Sequence, residues 1–108
     1  MALQVAELSV QLIETLRPLI GHIKARDKSL ADQLTLAASS VCLNIAESQH
    51  SDPGNRRARL FSAAGSANES LMAVRVAVAW GYCGQNDGKP AIAVLDRILA
   101  MLWKMNRA

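Results

Sequence analysis

Aromatic residues and cysteines are scarce in this chain of 108 residues. Phe, Trp and Tyr make up 4% of the residues although 51% are hydrophobic, so small and branched aliphatic side chains supply most of the apolar mass. That composition favours closely packed helices over sheets. Cys42 and Cys83 have no C-x-x-C spacing and no histidine placed to complete a zinc site, so we expect two reduced, buried thiols.

Membrane-spanning and secretory segments are also missing. The amino-terminal stretch MALQVAELSVQLIE lacks a basic region and carries glutamates where a signal peptide stays apolar. Nowhere does an apolar run approach the roughly 18 residues that a transmembrane helix needs. The sequence therefore predicts a soluble, cytoplasmic protein that forms one domain over residues 1–108 without metal or disulfides.

Acidic residues are under-represented in the second half of the chain. Residues 1–50 contain four basic and five acidic side chains, whereas residues 51–108 contain eight basic and four acidic ones. The positive excess therefore belongs to the second half. Such a charge distribution is compatible with nucleic-acid binding but does not demand it.

Apolar residues recur at spacings of three and four along most of the chain, which predicts amphipathic helices. Pro18 should kink or break the first helix near Arg17. Short connections imply that successive helices run antiparallel. The sequence predicts an all-α, antiparallel up-down-up-down four-helix bundle, with helices over about residues 2–25, 30–50, 53–82 and 88–106.

Capping residues mark the expected helix ends. The predicted N-caps of the second, third and fourth helices are Ser29 with Asp32, Asp52 followed by Pro53, and Asp87. Gly81 or Gly84 should end the third helix. Pro90 would then lie in the first turn of the fourth helix, where proline is tolerated.

Two of the predicted helices are apolar on more than one side. The main stripes, which we expect in the core, are Leu30, Leu34, Ala38, Val41 and Ile45 on the second helix, and Leu60, Phe61, Ala64, Leu71, Val74 and Val78 on the third. Further apolar side chains lie on other faces: Leu36 and Leu43 on the second helix, and Met72, Val76 and Trp80 on the third. These second faces predict burial against something beyond the protomer, and hence a homo-oligomer.

Glu47 and His50 have the Glu-x-x-His spacing with which helix bundles hold pairs of metal ions. Such sites need two of these motifs. Three residues before the other histidine, His22, the chain has Leu19 rather than a glutamate. We therefore expect no metal, and His50 is interpreted as a surface residue near a helix end. No spacing indicates a catalytic triad, a nucleophile elbow or a phosphate loop, so we expect no catalytic residues, no cofactor and no enzymatic activity.

Two segments resemble the motifs of a known family. Gln33–Ser48, QLTLAASSVCLNIAES, is similar to a pattern that reads Q-L-x-R-A, a stretch of small residues and N-I-A-E-G. Phe61–Glu69, FSAAGSANE, is similar to a second pattern of an aromatic residue, A-x-G-S and a glutamate. Both belong to the four-helix-bundle proteins encoded in intervening sequences of bacterial large-subunit ribosomal RNA genes, often called ribosomal proteins.

This resemblance implies a ring-shaped homopentamer. A related branch, the accessory proteins of diversity-generating retroelements, partners a reverse transcriptase and binds nucleic acid. The chain departs from the family pattern, because Thr35 and Leu36 replace arginines and Ser48 replaces a glycine. The basic partner that Glu69 meets in relatives is therefore expected to be missing, with Glu69 facing Thr35.

The polar motif residues are expected to have structural roles. If the second and third helices are antiparallel about a turn near residue 52, the numbers of facing residues add up to about 104. Glu47 would then pair with Arg57 or Arg56. Asn44, an amide on a largely apolar helix, should bond to a backbone or side-chain partner rather than to a ligand.

Two functional hypotheses remain open at this stage. Arg56, Arg57 and Arg59 crowd one helix start, and a ring would repeat them as a basic belt able to contact the phosphates of RNA or DNA. Against this, exposed arginines are commonly solvated or paired, and no aromatic residue is interleaved with these three for base stacking. The alternative is an assembly scaffold that binds a protein partner through the apolar second faces and no nucleic acid.

Overall fold

The computed structural model describes residues 2–107, and within them the chain is all-helical. Its four helices are α1, Ala2–Arg26; α2, Lys28–Ser48; α3, Pro53–Trp80; and α4, Gln85–Arg107. Each helix packs against its two neighbours in cyclic order, α1 on α2 and α4, and α3 on α2 and α4. The result is the predicted antiparallel four-helix bundle, elongated to 42 × 22 × 19 Å.

The connection between α1 and α2 is shorter than predicted. Asp27, not Ser29, is the N-cap of α2, because its extended backbone lets its Oδ1 accept a hydrogen bond from the Leu30 N–H at 3.0 Å. Of the two predicted effects of Pro18, a kink or a break, the break is wrong, because α1 continues through Pro18. Pro18 and Glu14 are both exposed, so water can satisfy the Glu14 carbonyl that lacks its helical donor.

The ends of α3 follow the predicted chemistry. Asp52 caps the helix by accepting from the Asn55 N–H at 3.0 Å, and Pro53 is the first helical residue. Gly81 terminates it in the left-handed conformation, with φ of 79°. The Tyr82 N–H bonds to the Ala77 carbonyl and the Gly81 N–H to the Val78 carbonyl, which is a Schellman arrangement.

The start of α4 differs from the prediction. The helix begins at Gln85, and Asp87 lies inside its first turn rather than at the cap. The Asp87 carboxylate reaches back to accept from the Gly84 N–H at 2.9 Å, which is the reciprocal half of a capping box. Pro90 is consequently the sixth helical residue, in the second turn instead of the first.

One cluster of buried side chains runs along the axis of the bundle. Its largest fully buried members are Leu12, Leu16, Ile23, Leu34, Ile45, Leu60, Leu95, Ile98 and Leu102. Phe61 was predicted to be in the core, but it is 54% exposed. Leu60 occupies the buried direction, and Phe61 points about 100° away from it around the helix, toward the surface.

The second apolar face of α2 is not covered within the protomer. Leu36 is 72% exposed and Leu43 is 65% exposed, on the side of the helix opposite the buried stripe. Met72 and Trp80 of α3 are also exposed, whereas Val76 is half-buried. Among residues 2–107, no helix is long and apolar enough to cross a membrane.

Candidate nucleic-acid interface

The positive charge of the chain lies on two neighbouring helices. α3 carries four arginines and one glutamate, and α4 carries four basic and two acidic residues. By contrast, α1 has three basic and two acidic residues, and α2 has one basic and two acidic residues. The two most basic helices of the bundle, α3 and α4, therefore pack against each other.

The three arginines of the predicted site are all exposed in the first turns of α3, but Arg59 points to a different face from Arg56 and Arg57. The Arg59 Nε lies 3.0 Å from Glu47 Oε2 on α2. The Arg57 guanidinium lies over the ring of Phe61, 5.7 Å from its centroid, on the α4 side. Arg56 and Arg57 line a groove of about 350 Å³ at the end of the bundle with Ser51 and Asn106. The three side chains therefore do not form one cluster.

The predicted partner of Glu47 is wrong by two residues. Glu47 pairs across the turn with Arg59, not with Arg57 or Arg56. A second cross-helix contact gives the same register, because the Ser66 hydroxyl donates to the Ser40 hydroxyl oxygen at 2.9 Å. In both pairs the residue numbers add up to 106 rather than to the predicted 104. This register places the exposed Glu69 level with Ala37 rather than with Thr35.

A groove between α3 and α4 contains two aromatic residues that were not predicted to belong to the site. Phe61 is 54% exposed and Trp103 is 64% exposed, and both line a depression of about 400 Å³. Arg107 lies over the Trp103 ring at 5.7 Å from its centroid, as Arg57 does over Phe61. We call this depression the aromatic groove; its lining residues are Arg57, Phe61, Ala64, Asn68, Leu99, Trp103, Asn106 and Arg107.

An aromatic residue, Phe61, does lie beside one of the three arginines, contrary to the prediction. Phe61 follows Arg57 by four residues, and Arg107 follows Trp103 by four, which is the spacing of neighbours on one helix face. This repeated i, i+4 pairing of an arginine with an aromatic residue was the signal in the sequence. Exposed cation–π contacts of this kind are worth roughly 0.5–1 kcal/mol each.

Comparison with known families identifies the chain. The profile of the 23S rRNA-intervening sequence protein family matches residues 1–104. The chain belongs to this family. Among curated proteins, none matches it.

The fold of this 23S rRNA-intervening sequence protein is similar to that of another protein whose crystal structure is known. The chain superimposes on a protein of unknown function from the S23 ribosomal protein family of Bacteroides thetaiotaomicron with a TM-score of 0.89. The match covers 96% of this chain and 99% of the other at 16% sequence identity. At this identity the likeness establishes the shared four-helix fold and nothing about activity.

Asn44 of this family member has the structural role that the sequence analysis predicted. Its Nδ2 donates to the Ser40 carbonyl at 2.9 Å and to the Ser40 hydroxyl oxygen at 3.0 Å. Ser40 is the residue that also accepts from Ser66 of α3. The amide thus supports a polar contact between α2 and α3, and its donors are used inside the protomer.

Glu47 and His50, which were considered as metal ligands, belong to no larger group of possible ligands in the part of the chain that the structure describes. Within residues 2–107, no three His, Cys, Asp or Glu side chains are grouped so that they could hold an ion. The Glu47 carboxylate contacts Arg59, and His50 is exposed beyond the end of α2. The same stretch that has metal-ligand spacing therefore joins two helices.

Both cysteines of this family member are free, as expected, but they are partly exposed rather than buried. The Cys42 thiol lies 3.2 Å from the Ser9 carbonyl oxygen, to which it donates. Partial burial raises the pKa of the Cys83 thiol, and the nearby Asp87 carboxylate raises it further. A raised pKa lowers the thiolate fraction at neutral pH, so Cys83 is not an activated nucleophile.

Proposed function

We propose that this protein is a non-enzymatic, nucleic-acid-binding accessory protein of the cytoplasm. The observation that carries the proposal is the pair of arginine–aromatic contacts on the adjoining faces of α3 and α4, the most basic helices of the bundle. Arginine guanidinium groups contact phosphates, and exposed rings contact bases. The free thiols of Cys42 and Cys83 are consistent with a reducing compartment.

The test is the salt dependence of RNA binding, measured by fluorescence anisotropy with a labelled RNA over a range of KCl concentrations. Arg57→Gln and Arg107→Gln should each weaken binding and reduce the slope of log K against log salt by about 0.7, the contribution of one phosphate contact on a single strand. Arg17→Gln, at an exposed position of α1, is the matched control and should leave the slope unchanged. Failure of the unmodified protein to bind RNA or DNA at low salt would refute the proposal.

We further propose that the protein acts as a homo-oligomer, expected to be a pentamer, that self-associates through the outer face of α2. The support is the exposure of Leu36 and Leu43, which lie seven residues apart on that face and about 10 Å apart along the helix. Exposed apolar side chains arranged along one face mark an interaction surface.

Light scattering coupled to size-exclusion chromatography tests this proposal. A pentamer has a mass of about 58 kDa, five times the 11.6 kDa of the protomer. Replacing Leu36 and Leu43 together by serine should reduce the mass. Val10→Ser, at an exposed apolar position of α1, is the control and should not. A monomeric unmodified protein would contradict self-association and favour the alternative that this face binds a different protein.

A further inference from the structure

We propose that the aromatic groove binds an unpaired base of a single-stranded nucleic acid by stacking on Phe61 and Trp103. This inference rests on the proposed function and names the form of nucleic acid that the site recognises. The two rings come from different helices and are both more than half exposed, while Ala64 and Leu99 supply a partly buried apolar floor. The volume of about 400 Å³ lies in the range of sites for small planar ligands.

Both rings are more than half exposed, and a planar group already lies over each of them. Each ring already has a guanidinium over it, at 5.7 Å from its centroid. A nucleobase is also planar and stacks on the faces of aromatic side chains without regard to its sequence identity. A base on Phe61 or Trp103 would leave Arg57 and Arg107 beside it, in reach of the flanking phosphates.

Charge favours a nucleic acid over an apolar protein segment as the occupant. The groove has an arginine at each ring, and a second groove of about 270 Å³ on the same two helices is lined by Arg75 and Lys89. Phe61 and Arg75 lie about 21 Å apart along α3. Within residues 2–107, no acidic side chain lines either groove. Basic side chains therefore border both grooves of the α3–α4 surface, and they complement a phosphate backbone.

Stacking on a side chain requires an unpaired base. In a duplex the faces of the bases are covered by their neighbours, whereas the bases of a single strand can be splayed out onto aromatic side chains. The groove is therefore expected to prefer single strands.

The intrinsic fluorescence of Trp103 reports directly on stacking. The chain has two tryptophans, and Trp80 lies at the opposite end of α3 from Phe61, so Trp80→Phe leaves Trp103 as the sole reporter. In that variant, a mixed-sequence single-stranded RNA should quench the Trp103 emission. The duplex of the same sequence should not, and single-stranded DNA tells whether the 2′-hydroxyl contributes.

Affinity measurements on matched variants complete the test. Phe61→Ala and Trp103→Ala should each weaken binding of single-stranded RNA by roughly 5- to 150-fold, the loss that follows removal of a stacked aromatic residue. Trp103→Phe should restore most of the affinity. Trp80→Ala removes a tryptophan that is 69% exposed outside the groove and should leave the affinity unchanged. Circular dichroism and the melting temperature confirm that each variant is folded.

The remaining outcomes separate this inference from the proposed function. Salt-dependent RNA binding that survives Phe61→Ala and Trp103→Ala, without quenching of Trp103, would overturn base stacking and leave phosphate binding intact. Equal affinity for single strands and duplexes would do the same. A fall in oligomer mass in these two variants without RNA would make the groove a contact between copies, and absence of all nucleic-acid binding would overturn both proposals.

Discussion

The pairing of Glu47 with Arg59 can be tested by a double-mutant cycle on protein stability. The Arg59 Nε and Glu47 Oε2 atoms are 3.0 Å apart, but both side chains are about half exposed. Water therefore weakens the attraction, and exposed ion pairs contribute about 0.2–1 kcal/mol to the free energy of unfolding. We expect Glu47→Gln and Arg59→Gln to show a coupling energy of about 0.5 kcal/mol.

Urea denaturation at one fixed protomer concentration measures this coupling, because self-association makes the stability depend on concentration. With a slope of about 2 kcal/mol per molar urea, the coupling corresponds to roughly 0.25 M in the transition midpoint. It should shrink as NaCl screens the charges. The control is the cycle of Glu47→Gln with Arg57→Gln, whose coupling should be zero within error. A larger coupling to Arg57 than to Arg59 would refute the register in which facing residue numbers add up to 106.

Three further predictions concern stability and are also measured by urea or thermal denaturation. Gly81→Ala should destabilise the protein by about 1–2 kcal/mol, because φ of 79° is unfavourable for a residue with a Cβ. Gly21→Ala should instead stabilise the protein by up to about 1 kcal/mol, because an added Cβ meets nothing within 4 Å and alanine favours the helix. Ile45→Ala should cost about 2–5 kcal/mol because Ile45 is in the core, while Val10→Ala, at an exposed position of α1, should change the stability by less than about 0.5 kcal/mol; equal costs would contradict their opposite exposure. In the folded protein, the hydrogen bond from the Asn55 backbone N–H lowers the pKa of Asp52 below its ordinary value of 3.8. The stabilisation by this cap is therefore present above the pKa that Asp52 has in the unfolded chain. It is lost as the pH falls through the pKa that Asp52 has in the folded protein. Asp52→Ala should therefore lower the melting temperature at pH 7 but hardly at pH 2, and an equal decrease at both pH values would argue against the carboxylate as the cap.

Hydrophobic periodicity was sufficient to predict the helices but not where α2 and α4 begin or the register between α2 and α3. The stripe through Leu34, Val41 and Ile45 fixes which face of α2 is buried, and it is insensitive to where the helix begins. Ser29 and Asp27 are both residues that cap helices, and only the geometry of the single connecting residue decides between them. The register between α2 and α3 depends on the turn at residues 49–52, so an error of two residues there moved the predicted partner of Glu47 from Arg59 to Arg57.

The aromatic groove was harder to predict because it joins residues that are far apart in sequence. Phe61 was assigned to the core together with Leu60. Adjacent helical residues can both be buried, as Val94 and Leu95 are, so only the packing shows that Phe61 turns outward. Trp103 was not considered, because its relevance depends on the packing of α4 against α3. The pairs Arg57–Phe61 and Trp103–Arg107 could have been recognised from their i, i+4 spacing, but their meeting in one groove is a property of the tertiary structure.

The protomer offers chemically different surfaces for self-association and for a ligand. The outer face of α2 presents Leu36 and Leu43 on a helix with a single basic residue, whereas the α3–α4 surface presents Arg57, Arg75 and Arg107 and two exposed rings. If α2 provides the contact between copies, assembly need not cover the aromatic groove, and a ring would carry one such groove per protomer. Linked sites raise the effective concentration for one strand, so weak stacking at each groove would give tight binding by the whole assembly. Replacing Leu36 and Leu43 together by serine should then weaken binding of a long strand much more than binding of a short oligonucleotide that reaches one groove. Equal weakening of both would mean that the α2 face itself contacts the ligand.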